Sequence, residues 1–230
     1  MARTKSKIIE SDLFNIVMIG MMGQGKTSLI KSIVYECFAK KKYRYMLVFS
    51  STGLQSDNYD YLNDKYVHQE FAPDILKRFA QKHKKINKDA KKLKIKSLVV
   101  LDDIICDQEL QKRSVRTLIF GLITQYRHLG LSFIITSQTM RLLPLKYFSL
   151  STHFIIFRNT VIKQIKEKIS QILCADIVDG SQRDADKETI KIISNLDKYE
   201  FFMITQAESV HAKKYRKIKC KLPKKFKLKF

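Results

Sequence analysis

The chain has 230 residues, enough for one domain with elaborations. Hydrophobic residues make up 45% and aromatics 10%, which excludes a wholly disordered polymer, while seven glycines and three prolines exclude collagen-like and linker-type chains. Lys and Arg number 44 against 22 acids, a net charge of +22 that favours a polyanionic partner, of which nucleic acid is the commonest.

Two segments concentrate this charge. Residues 77–96 carry ten Lys/Arg against the single acid Asp89, and residues 213–229 carry ten with none; together they hold nineteen of the net twenty-two charges. The first lacks the broad apolar face that a membrane-surface helix needs, and no apolar run is long enough to span a bilayer. The basic N-terminus is not followed by a secretory apolar core. Cys37, Cys106, Cys174 and Cys220 have no paired spacing, so neither a zinc site nor a disulfide framework is expected.

In chain order, Asn15–Gly20 predicts a buried strand. Thr27–Lys40 predicts a helix with Ile30, Ile33, Val34, Cys37 and Phe38 on one face. Tyr45–Ser50 is a second strand. Residues 57–96 are polar and basic, helical in their second half, with Pro73 near the helix start. Ser97–Leu101 is a third strand. Residues 108–129 predict one long amphipathic helix, with Leu110, Val115, Leu118, Ile119, Leu122, Ile123 and Tyr126 inward and Gly130 ending it. Leu131–Ser137, His153–Arg158 and Glu200–Thr205 are further strands, with helical patterns at 160–174 and 184–196. Uniformly apolar strands separated by helices predict an α/β fold: a three-layer arrangement with a mostly parallel central sheet flanked by helices. The expected organisation is a single domain over 1–212, with a core at 13–160 and a C-terminal elaboration at 161–212. Residues 213–230 are expected to be a mobile basic tail, because they offer too little apolar surface to pack.

Gly20-Met21-Met22-Gly23-Gln24-Gly25-Lys26-Thr27 fits G-x-x-x-x-G-K-[ST] at every fixed position, between a strand and a helix. Such a loop wraps a phosphate with inward N–H groups, where side chains would collide with the ligand. The following helix aims its positive end at the same anion. Gly20 to Thr27, with Ser28 after them, are therefore the expected nucleotide-binding residues. Lys26 would supply charge for the β- and γ-phosphates, and the Thr27 hydroxyl would be a magnesium ligand.

Leu98-Val99-Val100-Leu101-Asp102-Asp103 ends a buried strand in two carboxylates, at the edge where open α/β sheets bind ligands. Asp102 is expected to hold the magnesium through water. Asp103, sent elsewhere by strand alternation, is expected to polarise the attacking water. Gln138 follows the Leu131–Ser137 strand at the same edge, where its amide could bond both γ-phosphate and water; Thr136 and Ser137 are lesser candidates.

GMMGQGKT, SLVVLDD and YRHLGLSFIITSQ, in that order over roughly residues 13–160, resemble the HerA–FtsK superfamily of P-loop ATPases. Within it the chain is similar to the poxvirus-type virion DNA-packaging ATPases of large nucleocytoplasmic DNA viruses. The resemblance implies an ATP- and Mg2+-dependent motor that translocates double-stranded DNA into a preformed capsid. It implies a ring of five or six subunits docked on a capsid or portal component, located in the host cytoplasm or the virion. It also implies an arginine acting on a neighbour's ATP, with Arg127 the best match and Arg141 the runner-up. The basic segments 77–96 and 213–229 are the expected DNA contacts. No acidic cluster after residue 160 reads as a nuclease metal site. Three alternatives stay open: a cellular or plasmid DNA translocase of the same superfamily, a small P-loop nucleotide kinase, and a non-catalytic DNA-binding factor that uses ATP structurally. A GTPase would need an N-K-x-D motif, which Asn87-Lys88-Asp89-Ala90 does not supply.

Overall fold

The computed structural model describes residues 9, 11–40, 43–53, 57–88, 95–104, 108–140, 143–158, 190–205 and 214–219. Their elements in chain order are β1 (Asn15–Ile19), α1 (Lys26–Lys40), β2 (Tyr43–Ser50), β3 (Val67–His68), α2 (Pro73–Asn87), β4 (Lys96–Asp102), α3 (Gln108–Gln111), α4 (Arg113–Thr124), α5 (Tyr126–Leu129), β5 (Leu131–Ser137), α6 (Leu145–Ser149), β6 (His153–Phe157), β7 (Glu200–Thr205) and β8 (Lys214–Lys219). Short 3-10 turns at Asp57–Tyr59 and Asp64–Tyr66 join β2 to β3.

The strands form one eight-stranded sheet in the order β3-β2-β4-β5-β1-β6-β7-β8. All pairings from β3 to β6 are parallel; β7 is antiparallel to both of its neighbours. Alternation divides each strand between two apolar layers. Val17, Ile19, Val99, Leu101, Phe133 and Ile135 face the layer that holds α2 and α4. Ile16, Met18, Leu98, Val100 and Ile134 face Ile30, Ile33 and Val34 of α1. Both faces are therefore covered, which is why the strands read as continuous apolar runs. The three-layer α/β expectation holds. β5 lies between β1 and β4, so a residue at the end of β5 stands between the loop after β1 and the acids at the end of β4.

α2 shows how basic sequence folds into this scaffold. Pro73 occupies its first turn, where a missing N–H costs nothing. Leu76, Ala80, His83 and Asn87 recur on one side and are buried, while Lys77, Arg78, Lys82, Lys84, Lys85 and Lys88 are exposed. Burial, reinforced by the charge of Lys82, pushes the His83 imidazole down to about 4, so it is neutral in the core at physiological pH. The Asn87 amide donates to the carbonyls of Leu129 and Ile95 and accepts from the Ile95 N–H. These bonds fix the C-terminal end of α2 at the amino-terminal edge of β4 and β5.

Three expectations need correction. Residues 108–129 are not one helix. Lys112 is extended (φ −64°, ψ 133°) and Gln125 leaves the helical region (φ −98°, ψ 10°), which separates α3, α4 and α5. Hydroxyls of Thr117 and Thr124 bond back to the carbonyls four residues earlier, a pattern that bends helices. Of the expected inward residues, Leu110, Val115, Ile119 and Ile123 are buried, while Leu118, Leu122 and Tyr126 are half-buried. The basic tail was also expected not to pack, yet 214–219 pairs with β7 over six residues as β8. Pairing uses main-chain bonds rather than apolar side chains, and lysine-rich edge strands are common because charge discourages further pairing. The two-residue β3 was not anticipated. Residues 190–194 are helical within the expected 184–196 span, and 160–174 lies outside the described residues.

Gly130 ends α5 in the left-handed region (φ 69°), and a Cβ there would stand 2.4 Å from the Ile95 carbonyl oxygen and 2.8 Å from the Asn87 amide. Gly130→Ala should therefore destabilise the protein by roughly 2–4 kcal/mol through strain and backbone displacement, read as a melting-point drop of about 5–10 °C.

Candidate nucleotide-binding site

The phosphate loop follows β1 at the carboxyl edge of the sheet. Gly20 donates its N–H to the Ser137 carbonyl at 3.1 Å, tying the loop to the end of β5. Gly23 and Gly25 have positive φ values (76° and 110°), conformations open to glycine and costly for other residues. Gly25 also lies against Tyr199, whose Cδ1 would stand 2.6 Å from an added Cβ. Tyr199 is itself left-handed (φ 66°), a strained state for an aromatic residue. Met21 and Met22 are exposed, and Gln24, Thr27 and Ser28 are partly so. Thr27 and Ser28 sit in the first turn of α1, where unpaired N–H groups and the helix dipole favour an anion.

Lys26 is 5% exposed, and its ammonium group meets three acceptors: the Gly20 carbonyl at 2.7 Å, the Met21 carbonyl at 3.4 Å and Asp103 Oδ2 at 3.2 Å. The loop lysine and the acid motif, 77 positions apart, thus meet directly. Gln138 reaches the same carboxylate, its Nε2 lying 3.5 Å from Asp103 Oδ2 at the outer limit of a hydrogen bond.

Asp102 closes β4 and is 4% exposed. Its Oδ1 accepts from the Thr136 hydroxyl at 2.7 Å, and its Oδ2 accepts from the Tyr59 hydroxyl at 2.8 Å. Burial raises its carboxyl above the ordinary range; the Thr136 and Tyr59 hydroxyls and the more distant Lys26 charge pull it down, while Asp103 pushes it up. Thr136 also accepts from the Asp103 N–H at 2.9 Å. The Tyr59 hydroxyl is pushed well above the usual phenol range, first by burial and then by the Asp102 charge, so it remains a donor.

Asp103 departs from simple alternation. It lies one residue beyond β4 in the left-handed region (φ 53°), which Asp tolerates better than most residues. The turn brings its Oδ1 to 3.4 Å from the same Thr136 hydroxyl that binds Asp102. Both carboxylates therefore converge on one hydroxyl instead of taking opposite faces.

Lys26, Asp102, Asp103 and Gln138 are gathered at one edge. Arg127 is not: it is exposed in α5, before β5 begins, with its guanidinium over the Tyr126 ring at 5.5 Å. The seven residues of β5 put roughly 23 Å between it and the phosphate loop, so it cannot serve the nucleotide of its own subunit. Arg141 lies outside the described residues. The sequence reading ranked Thr136 as a lesser candidate and missed Tyr59 and Tyr199. A signal for Thr136 exists: Ser132 and Thr136 are polar residues on the same face of an otherwise apolar strand. Tyr59 and Tyr61 are aromatic residues within a polar stretch, which marks anchors but not what they hold.

Among the described residues no group of three His, Cys, Asp or Glu could cage a metal unaided. The oxygen donors Thr27, Asp102 and Asp103 nevertheless suit magnesium, which commonly takes one or two carboxylates and completes its shell with phosphate oxygens and water. The residues present therefore fit a magnesium–nucleotide complex, with Thr27 and Asp102 the expected holders.

The sheet order, the loop and the acid pair define a P-loop NTPase. The pattern that defines the Poxvirus A32 protein family matches residues 1–224, and the chain belongs to that family. No curated protein sequence matches it. Among solved structures it is similar to the genome packaging NTPase B204 from Sulfolobus turreted icosahedral virus 2 in complex with sulfate: TM-score 0.66, 18% identity, covering 92% of this chain and 98% of that one. B204, the DNA-packaging ATPase from Sulfolobus turreted icosahedral virus, gives a TM-score of 0.63 at 17% identity, with 92% and 98% covered. The pCW3 conjugation coupling protein TcpA in its monomer form gives 0.57 at 14%, covering 92% of this chain and 62% of that one. At these identities the likenesses carry the fold, and the family carries the recognition drawn from the motifs.

The raised Asp102 carboxyl has a stability consequence. Relative to the unfolded chain the fold disfavours the charged form, so stability is greatest below the ordinary carboxylate range near about 4 and declines as pH rises through the raised value. Asp102→Asn should therefore melt higher than wild type at pH 7 without magnesium or nucleotide. The gap should close as the pH falls towards about 4, as read by calorimetry across pH.

Proposed function

We propose that this protein is the magnesium-dependent ATPase of a genome-packaging motor, driving double-stranded DNA into a preformed capsid as a ring of identical subunits. The observation that carries this reading is the meeting of Lys26 with Asp103 at 3.2 Å, beside the buried Asp102, in a chain of the poxvirus A32 family. The N–H groups of Gly23, Gly25, Lys26 and Thr27, at the loop's end and in the first turn of α1, bind the phosphates, while the Gly20 N–H stays on the Ser137 carbonyl. Lys26 places a charge at the β- and γ-phosphates. Thr27 and Asp102 hold the magnesium, which when bound offsets charge on the triphosphate. Asp103 takes a proton from the attacking water, and Gln138, in reach of Asp103, orients that water and reports its loss. Arg127, on the opposite edge, completes a neighbouring subunit's site, a placement that supports the ring.

The DNA-facing surface follows from charge. The exposed lysines of α2 gather towards its C-terminal end, at the edge away from the phosphate loop. β8 adds basic sequence beside β7. Such surfaces grip backbone phosphates without reading sequence. The motor works in the host cytoplasm, docked on a capsid component. Among the described residues no helix is long and apolar enough to cross a membrane.

Two experiments test this. Purified protein should hydrolyse ATP faster with duplex DNA, and Asp103→Asn should keep ATP affinity within about threefold while losing about 100-fold or more in turnover. Stimulation by a nucleoside or nucleotide acceptor instead would make the chain a kinase. For DNA, Lys84→Gln, Lys85→Gln and Lys88→Gln together should weaken binding to unrelated duplexes equally and flatten the salt dependence by about 0.9 log units for each phosphate no longer neutralised. An unchanged slope would remove α2 from the interface.

A further inference from the structure

The Tyr59 hydroxyl, 2.8 Å from Asp102 Oδ2, belongs to no motif. Tyr59 comes from the connection between β2 and β3, and is buried against Tyr61 with ring centroids 6.0 Å apart. The residue between them, Asp60, is half-exposed and pairs with Lys31 of α1 at 2.8 Å. This short segment is therefore fastened at both ends of the site: to the helix that begins with Lys26 and Thr27, and to the acid that closes β4.

A carboxylate oxygen offers two lone-pair directions. Thr136 takes one on Oδ1 and Tyr59 one on Oδ2, so a free direction remains on each oxygen, and rotation about the Asp102 side chain would break both bonds at once. Thr136 is itself fixed by the Asp103 N–H. The hydroxyl is the only polar atom of the Tyr59 side chain, whose place could be filled by phenylalanine if only packing were required. Outer hydrogen bonds of this kind set the aim of a metal-holding carboxylate, and losing one usually weakens the metal by about 10–100-fold.

We propose that Tyr59 is a positioning residue for the magnesium–nucleotide complex, holding the Asp102 carboxylate in the orientation that receives the metal's bound water. The proposal rests on the nucleotide-site reading above. It assigns a role to the segment between β2 and β3: to latch the phosphate-loop helix to the acid.

The test compares affinity for a fluorescent ATP analogue with excess Mg2+ and in EDTA. Wild type should bind more tightly with Mg2+. In Tyr59→Phe that Mg2+-dependent gain should shrink about tenfold, with EDTA affinity unchanged within about twofold. Melting curves in EDTA read folding separately, because a merely structural hydroxyl would lower stability while leaving the magnesium gain intact. That last pattern, or an unaltered gain in a folded variant, overturns the proposal. Should Tyr59→Phe fail to fold, Asp60→Asn releases the segment from Lys31 at the surface and should reduce the gain about two- to threefold; no reduction there also overturns it. If wild type itself shows no Mg2+-dependent nucleotide binding, the nucleotide-site reading has failed instead.

Discussion

Placing the Asp102 carboxylate inside the protein is the costliest step in assembling this site, and the neighbouring elements are arranged around it. Desolvating an ionised carboxylate is strongly unfavourable unless its oxygens are hydrogen-bonded. Bonds from hydroxyls to a charged acceptor return roughly 1.5–3 kcal/mol each, and here one comes from each side of β4. Thr136 can supply its bond because β5 is the strand next to β4, between it and β1. Tyr59 can supply the other because the β2–β3 connection folds over the face that carries α1. Lys26 contributes at longer range and is held through Asp103. The strand order is thus a condition for a buried acid beside a phosphate loop.

The sequence exposes some parts of this arrangement more readily than others. The phosphate loop is legible because its demands are local: positive φ at Gly23 and Gly25, and a helix starting at Lys26. The acid strand is legible because four apolar residues followed by two acids have few other uses. Tyr59 is not legible, since its partner is 43 positions away and only the tertiary fold brings them together. Asp103 misleads for a different reason. Alternation applies within a strand, and β4 ends one residue earlier, so a left-handed turn decides where its carboxylate goes. The division of 108–129 into three helices was hidden because the apolar spacing runs through the breaks, which arise from backbone torsions at Lys112 and Gln125.

Charge patterning was read correctly as clustered but incompletely as structure. In α2 the lysines do not set the helix; Leu76, Ala80, His83 and Asn87 do, and the lysines take the positions left to solvent. In β8 the lysines occupy an edge strand whose pairing needs only main-chain groups. Basic composition thus tells where a surface is charged, whereas the minority of apolar or amide residues determines whether that surface is rigid.

The two edges of the sheet carry different side chains. The carboxyl edge carries Lys26, Asp102, Asp103 and Gln138, linked through Asp103 and the Thr136 hydroxyl. The amino edge carries the end of α2 and Arg127, joined to each other through Asn87 and the backbone that leads into β4 and β5. β4 and β5 run without interruption between these edges, with Asp102 at one end of β4 and Ile95 before the other. Asp102 and Thr136 thus stand at one end of the same two strands whose other end holds α2 through Asn87. Between the edge that carries the loop and the acids and the edge that carries the lysines of α2, paired parallel strands are the stiffest connection the fold provides.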